Sequence, residues 1–384
     1  MLRIWMLAFA GILSCCTTLS AGAAQKAAGP AIVAYVFARN GIVPPGKIDA
    51  RKLTRVNYAF ANLQGGRIIT GHPSDGDNIA ALLALKGENP ALTVLVSVGG
   101  WLWSDNFSDM ALTKESRKPF IESVVEFVDR YKLDGLDIDW EYPGMAGAGH
   151  TYRPEDKQNY TLLLKELRKR FNHEEKRVHR KLFLTIATGA SAEFLAHTEM
   201  KKVQKYVDTV NLMAYDYYEP ESDKATGHHA PLFTNPADPK NISADKSVQQ
   251  YEQAGVPAAK LVLGVPFYGH VWGEVRDQNH GLFQPGKPVP NAFASYNEIS
   301  AWLNDRFTRY WDAAASAPYL YNPAKQIFVS YEDPQSLKLK CQYVLEHKLG
   351  GVMFWEYSND ASGALLGTIG SSLHSRVNMA TAAE

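Results

Sequence analysis

The stretch Asp134-Gly135-Leu136-Asp137-Ile138-Asp139-Trp140-Glu141, running into Tyr142-Pro143-Gly144, places four carboxylates within eight residues. Its spacing reads as a β-strand that ends in a turn. Side chains on a strand alternate faces, so Asp137, Asp139 and Glu141 share one side while Ile138 and Trp140 pack on the other. Like charges this close repel, so at least one of the acids holds a proton near neutral pH. A solvated acidic edge needs no apolar residue at each alternate position, so the segment reads as a site on a strand.

Similar short, β-rich apolar runs recur outward from this one. They are Ile32–Val36, Val56–Ala61, Thr93–Val98, Leu182–Ala187, Thr209–Met213, Leu261–Pro266 and Gly351–Trp355. Amphipathic stretches separate them, among them Lys114–Tyr131, Pro154–Phe171, Ala244–Ala254 and Pro334–His347. Near-continuous apolar strands alternating with helices indicate a parallel sheet covered on its outside. Eight such units favour an α/β fold of the (β/α)8 TIM-barrel type over an open doubly wound sheet. Ser97-Val98-Gly99-Gly100 follows a strand, but no third glycine or acidic partner completes a dinucleotide fingerprint. Strands seven and eight are separated by more chain than one helix needs. Residues 271–325, with three prolines from Pro285 to Pro290 and the segment Tyr296-Asn297-Glu298-Ile299, predict a small inserted α+β lobe forming one wall of a cleft. The tail after about Ser375 reads as frayed.

Composition excludes several functions. Lys+Arg and Asp+Glu both count 40 among 384 residues, so there is no basic excess to attract nucleic acid and no acidic tail. Aromatic residues make up 11%, and many lie near Gly, Asp or Asn in loops, where their faces suit carbohydrate rings. At the N-terminus Arg3 precedes an apolar run from Ile4 to Leu13, and small residues follow to Ala21-Gly22-Ala23. This pattern predicts an export signal over residues 1–24 and an exported, periplasmic or secreted, protein. The run is shorter than the roughly 20 residues of a membrane-spanning helix. Ile12-Leu13-Ser14-Cys15 loosely resembles a lipoprotein processing site, so a lipid anchor at Cys15 is the alternative. Simple cleavage leaves Cys341 alone, which excludes an intramolecular disulfide framework. The mature unit is expected to span residues 30–375 and to act as a monomer.

A barrel gathers the C-terminal ends of its strands round one mouth. Here those ends carry Asp139 and Glu141, Tyr215 and Asp216, Tyr268, and Trp355 with Glu356. Asp-Gly-x-Asp-x-Asp-x-Glu leading into Tyr-Pro resembles the active-site signature of glycoside hydrolase family 18, the chitinases and their relatives. Ser97 to Trp101, Met213-Ala214-Tyr215-Asp216, Thr226 to Leu232, Lys260 to Gly269, Tyr331 to Ser336 and Gly350 to Glu356 are similar to further motifs of that family. The insertion, with Tyr310-Trp311-Asp312 and Pro318-Tyr319, looks like the extra lobe of its deep-cleft chitinases. The resemblance covers roughly Ile32 to Leu373.

That resemblance implies a retaining glycosidase acting on N-acetylglucosamine (GlcNAc) oligomers or chitin, with the substrate's 2-acetamido group in place of a carboxylate nucleophile. Glu141 would be the general acid and later the base. Asp139 would orient the acetamido nitrogen, Asp137 would share a proton and hydrogen bond with Asp139, and Tyr215 would donate to the acetamido group. Trp355 would floor the sugar site, with Met213 beside it. Trp101 and Tyr142 would lie towards the leaving group, Asp216 would make polar contacts near the reacting sugar, Tyr268 would bind substrate from the end of strand seven, and Gly99 and Gly100 belong to the strand-three motif. Asp134 reads as a structural carboxylate at the strand's start. Neither cofactor nor metal is implied, since three acids along one stiff strand span about 13 Å and make a poor cage.

Two departures from the family pattern concern binding. His270 stands where many relatives carry Arg, and imidazole cannot reproduce a guanidinium fork. Asp216-Tyr217-Tyr218-Glu219-Pro220-Glu221 is richer in acids than the usual segment, which removes an aromatic platform for long chains. The alternatives are a family 18 enzyme cutting N-glycan cores or peptidoglycan, and a chitin-binding lectin. Intact Glu141 argues against the lectin.

Overall fold

The computed structural model describes residues 29–380 except 39–40, 44–46, 304 and 306. The expected export segment, with Cys15, lies outside the described residues. The apolar runs form β1 (Ala31–Phe37), β2 (Arg55–Gln64), β4 (Thr93–Gly99), β5 (Gly135–Asp139), β6 (Phe183–Gly189), β7 (Thr209–Met213), β8 (Leu261–Pro266) and β14 (Gly351–Trp355), while β3 (Arg67–Thr70) returns antiparallel along β2. The eight pair in parallel in the order β1-β14-β8-β7-β6-β5-β4-β2, and β1 also pairs with β2, which closes the barrel.

Strand alternation partitions the core. On β1, Ile32, Ala34 and Val36 join the large apolar cluster under the outer helices, whereas Val33 and Tyr35 face the barrel interior with Ala59, Val262 and Met353. On β5, Leu136 and Ile138 pack outward. Trp140 follows them, stacked on Phe107 at 5.3 Å and edge-on to Tyr160 at 5.7 Å. The packing leaves Asp137, Asp139 and Glu141 on the inner side.

The outer helices follow their sequence patterns, among them Lys114–Arg130, Asp156–Val178, Ala244–Gln253 and Pro334–Glu346. Asp333 starts the last of these. Its carboxylate accepts from the backbone N–H groups of Gln335 and Ser336, and Pro334 occupies the first turn, where no donor is needed. The closing helix runs Ala364–Ala380, so the backbone stays helical past Ser375, where the sequence predicted fraying.

Between β8 and β14 the chain builds a second, antiparallel sheet. It comprises β9 (Tyr268–Gly273), β10 (Lys287–Ser295), β11 (Thr308–Asp312), β12 (Ala317–Asn322) and β13 (Ile327–Ser330), in the order β10-β9-β13-β12-β11. The short helix Tyr296–Trp302 opens on a capping box between Ser295 and Glu298. The sheet extends beyond the expected 271–325 at both ends, because Tyr268 and His270 already pair with β10, and Ser330 pairs with His270. The apolar run through Pro266-Phe267-Tyr268 shows no seam where the chain changes sheets.

Where β13 leads into the helix Pro334–Glu346, a charged pair is shut away from water. Lys340 donates to Glu332 at 2.5 Å and to the Ala230 carbonyl at 2.7 Å, and Ser336 donates to the other Glu332 oxygen at 2.7 Å. Both ionic side chains are 1% exposed.

Candidate active site

A cleft of about 850 Å³ opens at the C-terminal mouth of the barrel, and Asp139, Glu141, Tyr142, Met213, Tyr215, Asp216, Tyr268 and Trp355 line it together with Gly99 and Trp101. Gly100 is not part of that wall. Its N–H donates to the Asp139 carbonyl at 2.7 Å, and a Cβ there would meet the Phe60 ring at 2.7 Å. Gly99 is equally constrained, with φ +106° and a would-be Cβ 2.3 Å from the Asp139 carbonyl oxygen. Gly99→Ala is therefore expected to cost about 1–3 kcal/mol of stability and to lower kcat, because the Asp139 backbone must retreat. Denaturant unfolding and steady-state kinetics on the same preparation check both.

Asp137 sits one pleat below the cleft, fully buried. Ser97 and Thr185 flank it in register on β4 and β6. Ser97 donates to it at 2.8 Å and Thr185 at 2.5 Å, while Tyr35 from β1 reaches it at 2.8 Å and Asn211 from β7 at 3.1 Å. Burial raises its pKa, and Thr185, Ser97 and Tyr35, with the Arg55 charge, pull it back. Four donors from four other strands thus converge on the Asp137 oxygens. Asp139 is also buried, and its Oδ1 has no partner. Burial, then Glu141 and then Asp137, lifts its pKa well above the carboxylate range. Burial beside Glu141 and Asp137 thus favours the neutral form of Asp139.

Glu141 leaves β5 at the rim. Its backbone N–H donates to Ser104 Oγ at 3.0 Å, and that hydroxyl donates to the Gly100 carbonyl at 2.9 Å. Burial pushes its carboxyl up to about 7; the Tyr142 hydroxyl draws it down, and Asp216 and Glu219 push it up again. Ser104 is a positioning residue that the sequence reading missed, and no pattern in its loop marks it. At the other end of the strand Asp134 pairs with Lys86 at 2.6 Å and Arg180 at 3.3 Å and accepts from the Val94 N–H at 2.7 Å.

The floor is aromatic. Trp355 lies 5.5 Å from both Phe60 and Phe37 and 5.9 Å from Tyr35. Phe37 and Phe60 were not among the expected residues, although Phe37 continues the inward face of Val33 and Tyr35. Trp101, 49% exposed, stands edge-on to Tyr142 at 6.4 Å. Burial, with Asp216 and the other acids, holds Tyr215 well above its ordinary pKa, so it remains a hydrogen-bond donor. Glu356, although at a strand end, turns away from the cleft and caps the turn Tyr357–Asn359 through the Ser358 N–H at 3.0 Å.

Asp216 adopts a left-handed backbone at φ +57°. Its Oδ1 accepts from Tyr268 at 2.6 Å and lies 2.8 Å from His270 Nε2. His229 Nδ1 approaches to 3.6 Å, too long for a full hydrogen bond. Burial works against the Asp216 charge, but the two imidazoles outweigh it and hold the carboxyl below its usual range. Burial drives His229 down to about 4, so it is neutral, whereas the Asp216 contact overcomes burial at His270 and raises it.

A closed barrel that carries two carboxyl groups with burial-raised pKa values at its C-terminal mouth, above an aromatic floor, has the site of a barrel glycoside hydrolase. The sequence profile described as Glycosyl hydrolases family 18 matches residues 31–360. Chitinase A1 of Niallia circulans is 38% identical over 380 residues, covering 83% of this chain and 54% of that protein. Chitinase B of Serratia marcescens is 31% identical over 395 residues, with 85% and 77% covered. Among solved structures, a glycoside hydrolase family 18 N-acetylglucosaminidase from Paenibacillus barengoltzii superposes with a TM-score of 0.82 at 40% identity, covering 90% of this chain and 100% of that one. The chain belongs to glycosyl hydrolase family 18. It spans about half the length of chitinase A1.

Proposed function

We propose that this chain hydrolyses β-1,4-linked GlcNAc oligomers with retention at the anomeric carbon, the substrate's 2-acetamido group acting as nucleophile. The observation that carries this reading is Glu141, a cleft-lining carboxyl whose pKa is pushed up to about 7. Glu141 gives its proton to the glycosidic oxygen as the C1–O bond breaks, and the acetamido oxygen closes on C1. The resulting oxazolinium ion is attacked by water, whose proton returns to Glu141. Asp139 orients the acetamido nitrogen and stabilises the positive ring as it forms, while Glu141 stays free to take the proton from water. Tyr215 donates to the acetamido group, and Trp355, backed by Phe37 and Phe60, supports the distorted sugar.

The name of the P. barengoltzii relative favours a second reading, release of single GlcNAc units, and the acidic loop after Asp216 is consistent with short substrates. The N-terminal segment supports export. The test is hydrolysis of chromogenic GlcNAc oligomers by metal-stripped protein, with the first anomer formed read by NMR. Expected are the β-anomer and full activity in EDTA; inversion, or complete loss in EDTA, overturns the mechanism. Product sizes, compared with N-glycan and peptidoglycan substrates, separate the alternatives.

The general acid must start protonated, so kcat/KM should fall as pH rises through about 7. Glu219 raises the Glu141 pKa by its charge, and its own is pushed up to about 7 by burial. Glu219→Gln should shift the alkaline limb towards lower pH. A limb that stays in place would detach Glu219 from the acid.

A further inference from the structure

We propose that Asp216, His229 and His270 form a binding site for a zinc-class divalent transition-metal ion, and that the bound ion inhibits the enzyme. The inhibitory part rests on the carbohydrate-cleft reading above; the binding part does not. One ligand atom from each residue lies within 4.8 Å of the other two. Asp216 Oδ1 is 2.8 Å from His270 Nε2 and 3.6 Å from His229 Nδ1. Zinc held tetrahedrally at 2.0–2.1 Å needs ligand atoms about 3.3 Å apart, so the two separations from Asp216 are each within about half an ångström of that spacing.

His229 is the independent pointer to a ligand. It is wholly buried, and neither ring nitrogen has a hydrogen-bond partner. An unpaired buried polar group is costly unless something satisfies it. Its backbone is anchored on both sides: the N–H donates to Ser330 Oγ at 2.8 Å, and the carbonyl accepts from Tyr217 N–H at 3.0 Å. The lone pair is thus presented from a fixed position. Two imidazoles and one carboxylate suit zinc, copper or nickel and discriminate against magnesium and calcium.

Asp216 and His270 line the cleft, so an ion there keeps an open position towards substrate. It would take Asp216 Oδ1 from Tyr268 and place a dication near Glu141, which must keep its proton to act. Binding therefore competes with the sugar and disfavours the active protonation state.

The experiment is calorimetric titration of chelator-stripped full-length protein with zinc chloride in a non-coordinating buffer, beside magnesium chloride. Expected are one zinc ion per chain, no response to magnesium, and a zinc-dependent rise in KM reversed by EDTA. His229→Asn and His270→Arg should each weaken zinc binding by at least about tenfold. Absence of stoichiometric binding, or unchanged affinity in His270→Arg, overturns the site; the latter decides alone if His229→Asn does not fold. Stoichiometric binding with unaltered kinetics overturns the inhibition and leaves the site. A protein that binds zinc but cleaves no GlcNAc oligomer overturns the functional reading instead.

Discussion

Glu141→Gln should lower kcat on a GlcNAc oligomer by about 10²–10⁴-fold with KM changed only a few-fold. The amide keeps the shape and the rim position set by the Ser104 contact, but it has no proton to deliver as the C1–O bond breaks. It also cannot take one from water in the second step, so both halves of the reaction suffer. The loss should appear in kcat and kcat/KM together, the pattern of an interaction made in the transition state. The alkaline limb near pH 7 should vanish with it, because the group that titrates there is gone. Steady-state kinetics across pH give both readouts. Near-normal turnover in Glu141→Gln would remove this carboxyl from the chemistry.

Lys340→Met should be the most destabilising of the substitutions considered, costing about 3–5 kcal/mol. It leaves Glu332 at 1% exposure with its charge facing Ser336 alone, and strips the Ala230 carbonyl of its donor. Burial already raises the Glu332 pKa, and Lys340 is the chief influence holding it down. Removing both charges is a different matter: Lys340→Met with Glu332→Leu should recover much of the loss, since apolar replacement of a buried pair is often neutral. Urea midpoints of the two singles and the double form the cycle. Additive losses would show that the pair is not coupled.

The barrel was legible because parallel strands, covered on both faces, leave long apolar runs, and the helices between them carry their own periodicity and caps. The acids of β5 were legible for a local reason. Alternation at i, i+2 and i+4 fixes which side chains share a face before anything is known of the fold. The limits of the second sheet were not, because the apolar run from Leu261 through Tyr268 looks continuous where one sheet hands over to the other. Phe37 and Phe60 were hidden by lying in strands whose other residues are ordinary core.

What each acid of the opening stretch can do was decided elsewhere in the chain. Strand period alone put Asp137, Asp139 and Glu141 on one side and said that they cannot all be charged. Only the closed barrel brings Tyr35, Ser97, Thr185 and Asn211 onto Asp137, leaves Asp139 Oδ1 without a partner, and places Asp216 and Glu219 where they act on Glu141. The physical reason is range. Side-chain direction follows from neighbouring residues, but a carboxyl's protonation depends on burial and on charges and donors that reach it from distant strands.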